Sequence, residues 1–295
     1  MSRSTDTIVV AVDGGGTRCR IAVSGGALAQ QLEVGAANVS TDFDAACAEL
    51  NRGIASLTEH CGLDAVQIAR APAYLGLAGV TGSAIADRLA AVLPFDHVRI
   101  EDDRPAALRG ALGSQDGFVA HCGTGSFLAA QLGDQRIFAG GWGPVLGDQA
   151  SAQWVGRLAL SRTLDCVDDL RPVSVMAEDL LSRFGDAAGV VKAASGMSPT
   201  DFGALAPVVT LHAGRGDELA VSIMDASTRY LAGQMEAMGW VPGQSICLTG
   251  GIGPHYAAYL PEVMQQDLTK PLGDPLDGAI ALARAFQEEI EHERC

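Results

Sequence analysis

Short apolar runs that end in glycine alternate with longer amphipathic segments along most of the chain. Residues 7–13, Thr-Ile-Val-Val-Ala-Val-Asp, form a β-branched apolar run that ends at Gly14-Gly15-Gly16, and a second such run covers residues 19–23. Apolar, β-branched runs separated by a few glycines are typical of two strands joined by a tight turn. The pattern therefore predicts a strand, a glycine turn and a second strand near the N-terminus.

The same pattern recurs in the middle of the chain. Residues 118–126 align with residues 9–17 at a constant offset of 109, because Phe118 corresponds to Val9. A valine, an alanine and two glycines are identical, and Ser126 aligns with Thr17 as a hydroxyl match. The run over residues 127–132 supplies the second strand. Two copies of one hairpin at this separation indicate a duplicated domain.

Between the two copies, helix-like and strand-like patterns alternate. Helices are predicted over residues 41–61, 82–93 and 104–112, and strands over residues 73–77 and 97–101. Strands that alternate with helices are typical of an α/β layer architecture.

The second half of the chain is richer in helix. Apolar residues recur at helical spacing in five segments, which are residues 151–164, 173–184, 187–194, 204–214 and 218–238. A strand over residues 245–249 and a helix over residues 276–291 follow. We predict an N-terminal lobe of residues 1–117 and a C-terminal lobe of residues 118–277 with helical insertions. We expect the last helix, residues 278–295, to pack back on the first lobe.

The net charge of the chain argues against two classes of binding partner. Its 295 residues carry 35 acidic and 20 basic side chains, a net charge of −15, and 5% are aromatic. Such an acidic chain is a poor match for nucleic acid or an anionic membrane surface, so we expect neither partner. No apolar run reaches the roughly 18 residues of a membrane span. The seven cysteines are scattered without a CxxC pair, which is typical of reduced thiols in the cytoplasm.

The lysines exclude one common phosphate site. Only Lys192 and Lys270 are lysines, and neither is followed by Ser or Thr. A Walker A loop needs Gly-Lys and then a hydroxyl residue, so that loop is absent. The motifs GxGxxG, HExxH and GxSxG are absent as well. Any bound phosphate is therefore expected on backbone amides and a metal ion.

Three glycine-rich turns, each directly after an apolar run, carry the main chemical signal. Glycine lets the backbone approach a ligand closely and point successive N–H groups into one concavity that suits an anion. Two of the turns also carry hydroxyl groups, Gly14-Gly15-Gly16-Thr17 and Gly123-Thr124-Gly125-Ser126. The third, Gly250-Gly251-Ile252-Gly253, leaves room for a flat, bulky group such as adenosine. Each turn alone is explained as well by an ordinary hairpin, but the set predicts a nucleotide site.

Asp13 ends the first apolar run beside the first glycine turn. A carboxylate next to a phosphate cradle is suited to Mg²⁺, usually through water. The alternative is an aspartate that only helps to form the turn.

These motifs resemble those of the sugar kinase/actin/Hsp70 superfamily. Within it they are most similar to the BadF/BadG/BcrA/BcrD-type ATPases, which include N-acetylglucosamine and glucosamine kinases. Asp13-Gly14-Gly15-Gly16-Thr17-Arg18 resembles the first phosphate motif, Gly123-Thr124-Gly125-Ser126 the second, and residues 248–253, which include Gly250, Gly251 and Ile252, the adenosine motif. Residues 140–152, Gly-Gly-Trp-Gly-Pro-Val-Leu-Gly-Asp-Gln-Ala-Ser-Ala, resemble a further family segment, GGWG…GDEGSA.

The resemblance implies a fold, cofactors and a reaction. The fold is α/β, a duplicated actin-like ATPase (ribonuclease H-like) fold of two domains with a central cleft. The cofactors are ATP, bound by the three glycine motifs and Arg18, and Mg²⁺ at Asp13. The implied reaction is the ATP-dependent phosphorylation of an amino sugar on its 6-hydroxyl.

The same resemblance assigns the sugar site. Asp103 matches the aspartate that accepts the proton of the sugar hydroxyl, and Asn38, Gly141, Trp142 and Asp148 match sugar contacts. In phosphoryl transfer the protein mostly positions groups, so one well-aimed carboxylate is enough. From the residues alone, any of Glu101, Asp102 and Asp103 could be the N-cap of the helix that follows, and for Asp103 this role is compatible with accepting the proton. Asn38 also fits a loop, Asp148 a turn and Trp142 a core position.

One departure from the family pattern leaves the substrate open. Gln149 and Ala150 replace a common Glu-Gly pair. Gln149 is closer to glucosamine kinases and Trp142 to N-acetylglucosamine kinases, so the acyl group on the substrate nitrogen stays undecided.

Two other functions stay open. The first is an ATPase activator of a radical dehydratase or reductase, for which only Cys122 and Cys166 could serve as cluster ligands in the second half. The second is a non-catalytic sugar- or nucleotide-binding protein of the same fold. The helical insertions after residue 150 could serve a homodimer.

Overall fold

The computed structural model describes residues 7–15, 18–35, 37–40 and 42–293. The chain divides into two compact units, residues 1–114 together with 271–295, and residues 115–270. Each unit contains one mixed β-sheet and its own hydrophobic core.

The first unit contains a five-stranded sheet in the order β3-β2-β1-β4-β5. Its elements up to residue 112 are β1 Val9–Gly14, β2 Cys19–Gly25, β3 Leu28–Val34, α1 Phe43–His60, α2 Ala65–Arg70, β4 Ala73–Leu77, α3 Ser83–Ala90, β5 Val98–Glu101 and α4 Arg104–Leu112. Strands β1, β2 and β3 are antiparallel neighbours, whereas β4 and β5 continue the sheet parallel to β1. The carboxyl ends of β1, β4 and β5 therefore meet at one edge.

Strand β1 is buried on both faces, as its unbroken apolar sequence predicts. Val10 and Val12 lie in a cluster with side chains of α1, and Val9 and Ala11 lie in a second cluster with Tyr74. Helix α1 begins at Phe43 because the side chain of Asp42 accepts a hydrogen bond from the N–H of Ala45.

The second unit contains a four-stranded sheet in the order β8-β7-β6-β9. Its elements are β6 Gly117–Cys122, β7 Ser126–Leu132, β8 Gln135–Gly140, α5 Gly143–Leu146, α6 Ala152–Val167, α7 Val175–Phe184, α8 Ala187–Ala194, α9 Pro199–Gly203, α10 Ala206–Gly214, α11 Glu218–Ala237, β9 Ile246–Thr249, a 3₁₀ helix Gly253–Tyr259 and α12 Glu262–Gln265. Helices α6 to α11 lie between β8 and β9 in sequence and supply most of this unit's core.

The last helix, α13 Pro275–Glu293, belongs to the first unit, where it packs on α4, β1 and β4. Helices α4 and α13 approach closely at Gly110 and Gly278. A Cβ atom on Gly278 would overlap the carbonyl oxygen of Ala106, and one on Gly110 would overlap that of Asp274. These glycines let the two helices pack with backbone against backbone.

The duplication is visible in the sheets. In each, a hairpin (β1-β2 or β6-β7) has a third antiparallel strand on one side and a parallel strand on the other. The ungapped alignment holds only as far as the turn, however. Asp13 pairs with Arg20, whereas its counterpart Cys122 pairs with Ser126. Ser126 therefore takes the ladder position of Arg20, and its predicted match to Thr17 is wrong because the second turn is shorter.

Candidate functional site

In the first unit, the predicted site residues lie at the carboxyl ends of the parallel strands. Asp13 and Gly14 end β1, and the carbonyl oxygen of Gly14 accepts a hydrogen bond of 2.7 Å from the N–H of Ala78, just after β4. A Cβ atom on Gly14 would overlap the side chain of Leu77, so a larger residue there would have to displace this buried leucine. Ligands of open α/β sheets bind at this edge.

The first glycine turn uses one of its predicted phosphate donors internally. The N–H of Gly15 donates to the carbonyl oxygen of Arg18 at 2.9 Å. The side chain of Arg18 is exposed and lies 3.7 Å from Glu33. Two further predicted donors, Gly16 and Thr17, lie outside the described residues.

Asp13 is held by a residue that the motifs did not indicate. Both Nε and Nη2 of Arg20 donate to Oδ2 of Asp13, at 3.3 and 2.7 Å, and Nη1 donates to Oδ2 of Asp274. Burial raises the pKa of Asp13, and the hydrogen bond and charge of Arg20 oppose this rise. Arg20 could have been found from the hairpin register, which places it opposite Asp13. Asp274 gives no such local signal.

Asp103 occupies the N-cap position of α4 but does not act as the cap. Its side chain makes no capping hydrogen bond, and Oδ1 of Asp102 instead accepts from the N–H of Arg104 at 3.0 Å. The alternative role of Asp103 as an N-cap is therefore wrong. Desolvation by the surrounding protein raises the pKa of Asp103 to about 6, and the negative charges of Asp102 and Asp13 add to the rise.

A glycine in β4 allows the start of α4, and with it Asp103, to lie close to the sheet. Gly76 in β4 lies between Asp13 and Glu101 in the sheet. A Cβ atom on Gly76 would lie 3.6 Å from the Cα atom of Asp103 and 3.1 Å from the side chain of Ala106. The absence of a side chain at Gly76 lets the start of α4 pack directly on β4.

Asn38 is held in a local turn beside β4. Its Oδ1 accepts hydrogen bonds from the N–H of Ser40 at 3.0 Å and from the hydroxyl of Ser40 at 2.8 Å. The same oxygen would lie 2.5 Å from a Cβ atom on Gly79. The loop position that the residues alone suggested is thus present. Asn38 as a sugar contact stays a prediction, and its amide nitrogen is the group suited to it.

In the second unit, the second glycine turn packs against residues 147–152. The N–H of Gly123 donates to the carbonyl oxygen of Gly125 at 2.9 Å, and the carbonyl oxygen of Gly123 accepts from the N–H of Ala152. The hydroxyl of Ser126 donates to the carbonyl oxygen of Gln149 at 2.6 Å. Two of the predicted phosphate donors, the amide of Gly123 and the hydroxyl of Ser126, thus shape the turn. Thr124 and Gly125 are half-buried, and their role as phosphate donors stays a prediction.

Asp148 is buried directly against this turn. Its side chain would lie 2.9 Å from a Cβ atom on Gly125, so a larger residue at position 125 would have to displace the Asp148 carboxylate. Burial raises the pKa of Asp148, while the backbone N–H groups of Ser126 and Gly143 lower it. Its backbone has a φ of 59°, which fits the turn that the residues alone suggested.

The third glycine turn packs on the second. Gly250 has a φ of 80°, and a Cβ atom there would overlap the carbonyl oxygen of Cys122, which also accepts from the N–H of Ile252 at 3.1 Å. Ile252 is buried in the core, whereas Gly251 is exposed and has open space around its Cα. Open space beside Gly251 suits the flat group predicted there.

His121 links the strands that lead into these two turns. Its Nδ1 lies 3.1 Å from Oγ1 of Thr249, and its ring stacks on Phe127 with centroids 5.0 Å apart. Burial lowers the pKa of His121 to about 4, so the ring is neutral at neutral pH. The sequence offered no ligand spacing that would have singled out this residue.

Trp142 lies on the surface. It is 76% exposed, and two further apolar side chains of the short helix α5, Val145 and Leu146, are 86% and 83% exposed. The alternative position of Trp142 in the core is therefore wrong. The neighbouring Gly141 has a φ of 75°, and its N–H donates to the carbonyl oxygen of Ser126 at 3.0 Å, which ties this segment to the second turn.

The residues at Asp13 fit a magnesium ion held mainly by a nucleotide. Mg²⁺ in such sites takes one or two carboxylates, and substrate phosphates and water supply the rest. The described hydrogen bonds to the Asp13 carboxylate all fall on Oδ2. Among residues 7–15, 18–35, 37–40 and 42–293, no group of three or more His, Cys, Asp or Glu side chains is arranged to hold a metal by itself.

In the same part of the chain, no helix is long and apolar enough to cross a membrane.

With this geometry in place, the comparison with known families is decisive. The family model described as the BadF/BadG/BcrA/BcrD ATPase family matches residues 10–280, which include all three glycine turns and Asp103. The chain belongs to the BadF/BadG/BcrA/BcrD ATPase family. The predicted family is thereby confirmed.

Individual relatives agree with membership of the BadF/BadG/BcrA/BcrD ATPase family. The chain is 26% identical over 278 residues to glucosamine kinase GspK of Vibrio cholerae serotype O1. The aligned region covers 93% of this chain and 95% of the relative. The crystal structure of a candidate N-acetylglucosamine kinase from Chromobacterium violaceum matches with a TM-score of 0.82 and 28% identity, over 95% of this chain and 99% of the other.

A more distant structure shows the fold class. A ROK family glucokinase from Streptomyces griseus matches with a TM-score of 0.59 and 17% identity, over 95% of this chain and 99% of the other. Together with the two mixed sheets, these likenesses confirm the predicted duplicated, actin-like ATPase fold of this BadF/BadG/BcrA/BcrD family member.

Proposed function

We propose that the protein is an ATP-dependent amino-sugar kinase that phosphorylates the 6-hydroxyl of glucosamine or N-acetylglucosamine. Family membership supports the use of ATP. The likeness to a glucosamine kinase and to a candidate N-acetylglucosamine kinase supports the substrate class. The observation that carries the proposal is Asp103, a carboxylate at the carboxyl edge of the sheet that does not cap its helix.

Asp103 is suited to accept the proton of the attacking hydroxyl. A general base works best when its pKa lies near the operating pH, because it is then ionised and still basic enough to take a proton. Desolvation raises the pKa of Asp103 to about 6. The carboxylate is therefore largely ionised at pH 7 to 8 and is more basic than an ordinary aspartate.

Backbone groups bind and orient the nucleotide in this proposal. The amides of Thr124 and Gly125 bind the phosphates, and the open face of Gly251 receives the adenosine. Gly14 and Gly250 allow the first and third turns to pack closely on Leu77 and on the backbone of Cys122. Asp13 would hold Mg²⁺, which neutralises charge on the phosphates during transfer. Asn38, Gly141, Trp142 and Asp148 are the proposed sugar contacts.

The test is ADP release over a panel of hexoses, with the phosphorylated position identified by ³¹P NMR. We expect an amino sugar to raise ADP release well above the basal rate and to yield a 6-phosphate. Asp103→Asn should lower the sugar-dependent rate about 10²- to 10⁴-fold. If no sugar raises turnover, or if Asp103→Asn is as fast as wild type, the proposed function is wrong.

A further inference from the structure

Arg20 joins two acidic side chains that are far apart in sequence. It lies on β2, opposite Asp13 on β1, and its guanidinium also reaches Asp274 just before α13. The side chains of Arg20 and Asp13 are each only 18% exposed, whereas that of Asp274 is 50% exposed. The link between Arg20 and Asp13 is therefore the more protected of the two.

The guanidinium restricts the orientation of the Asp13 carboxylate. Nε and Nη2 both donate to the same oxygen, Oδ2, so the carboxylate is gripped on one side. Arginine presents its donors in a rigid planar fork, which a lysine ammonium cannot reproduce. These hydrogen bonds orient the carboxylate of Asp13, which lies next to the first glycine turn.

The other end of the guanidinium is anchored to a fixed group. Oδ1 of Asp274 accepts from the N–H groups of Leu276 and Asp277, and the N–H of Asp274 donates to Oδ2 of Asp277. The preceding Gly273 donates its N–H to the carbonyl oxygen of Gly110 on α4. Asp274 is thus immobilised at the junction of α4 and α13, and its second oxygen holds Arg20.

We propose that Arg20 is a positioning residue for the magnesium nucleotide, and that it fixes the Asp13 carboxylate because Asp274 anchors its other end. The inference rests on the proposed function, since it assumes that a nucleotide binds beside Asp13. It adds two residues to the proposed magnesium-nucleotide site at the first glycine turn, Arg20 on β2 and Asp274 just before the last helix. A group that orients a metal-binding carboxylate typically contributes about 10- to 100-fold to metal affinity or activity.

The experiment measures ATP binding by calorimetry, once with Mg²⁺ and once with EDTA. We expect Arg20→Gln to weaken binding with Mg²⁺ about 10- to 100-fold and to change binding in EDTA far less. Arg20→Lys should recover only part of this loss, and Asp274→Asn should produce a smaller loss than Arg20→Gln. Circular dichroism and thermal unfolding show whether each variant is folded.

Arg99→Gln is the matched control. Arg99 on β5 also ties the sheet to α13, through Glu289 and Phe286, but it lies at the exposed, far end of that helix. We expect Arg99→Gln to bind ATP like wild type in both buffers.

A double-mutant cycle separates positioning from general structure. If Arg20 acts through Asp13, Arg20→Gln should have no further effect on Mg²⁺-dependent affinity in the Asp13→Asn background. The proposal is overturned if folded Arg20→Gln keeps the wild-type Mg²⁺ dependence, or if it loses affinity equally in both buffers. If wild type binds no ATP at all, the proposed function fails together with this inference. If wild type binds ATP and the Arg20 variants bind it in the same way as wild type, this inference fails and the proposed function stands.

Discussion

Burial of the Asp103 carboxylate at the sheet edge lowers the stability of the folded protein, and in the proposed function it also makes Asp103 a stronger base. Its pKa in the folded protein is about 6, above the ordinary value of 3.8, because burial disfavours its charged form. In the unfolded chain the group ionises more readily, so its ionisation at neutral pH favours the unfolded state. This cost is absent below pH 4, where both states are protonated, and it is complete above pH 6.

Asp103→Asn should therefore be more stable than wild type at pH 7.5 although it is less active. We expect its thermal midpoint to rise by a few degrees at pH 7.5 and to match that of wild type near pH 3.5, provided that both proteins remain folded there. Differential scanning fluorimetry at the two pH values tests this. A variant that is less stable than wild type at pH 7.5 would show that the carboxylate makes a stabilising contact.

Asp102 tunes its neighbour electrostatically. Its negative charge raises the pKa of Asp103, and its ion pair with Nε of Arg104 at 2.7 Å keeps that guanidinium occupied. Asp102→Asn removes one repulsive charge and leaves Arg104 to attract Asp103. We expect the pKa of Asp103 to fall, so the acid limb of kcat/KM should move to lower pH while the rate at pH 8 changes little. An unchanged or alkaline-shifted acid limb in the rate profile would contradict this assignment.

Residues next to a motif were predictable from sequence, and those joined by long-range contacts were not. Asp13 ends an apolar run, so the sequence indicates its place at the sheet edge. Asp103 lies two residues after the predicted strand 97–101, and only the family resemblance separated it from Glu101 and Asp102. The hairpin register could have placed Arg20 opposite Asp13, but the second partner of Arg20, Asp274, lies 254 residues away and gives no local signal. The sequence also could not show that the amides of Gly15 and Gly123 close their own turns.

At the scale of elements, buried strands and long helices were well predicted. The strand over residues 73–77 and the helices over 104–112 and 187–194 have the predicted bounds. The edge strands β3 and β8 were missed because polar residues interrupt the apolar residues of β3, and the apolar run of β8 is only three residues long, Ile137-Phe138-Ala139. Short helices such as α2 and α9 were missed because one or two turns carry too little periodicity.

The contact between α4 and α13 gives a sharp test of packing. Gly278→Ala would place a methyl group against the carbonyl oxygen of Ala106, and backbone atoms cannot move aside easily. We expect a loss of about 1–3 kcal/mol in the free energy of unfolding. Gly233→Ala in α11 is the control, because it is exposed with open space around it, and it should gain up to about 1 kcal/mol from helix propensity. Urea unfolding of both variants decides the matter, and equal effects would refute the close helix contact.

The exposed segment around α5 offers a spectroscopic test of the sugar contacts. Trp142 is 76% exposed, whereas Trp154 is half-buried and Trp240 is 6% exposed, so acrylamide quenching of the tryptophan fluorescence reports most strongly on Trp142. If Trp142 contacts the sugar, the preferred amino sugar should reduce this quenching. Trp142→Phe removes the reporter and should abolish the response, with a raised KM for the sugar. Quenching that the sugar leaves unchanged would remove Trp142 from the site.

At the scale of the whole molecule, two copies of one hairpin have become two sheets with different surroundings. The first unit surrounds its copy with carboxylates, Asp13, Asp103 and Asp274, and one arginine, Arg20. The second surrounds its copy with two further turns and a large helical insertion. Because the chain has only two lysines and a net charge of −15, the proposed function relies on backbone donors for phosphate recognition. The overall fold was predictable because the three glycine motifs and the segment 140–152 resemble those of the family and occur along the chain in the same order.

The decisive measurement is where the phosphoryl group of ATP goes. In a reaction with ATP, Mg²⁺ and the preferred amino sugar, ADP, free phosphate and sugar phosphate are quantified together. We expect one sugar phosphate for each ADP released, with little free phosphate, because the proposed acceptor is a sugar hydroxyl that Asp103 deprotonates. ADP matched by free phosphate, with no phosphorylated sugar, would mean that the protein is an ATPase and would contradict the kinase assignment.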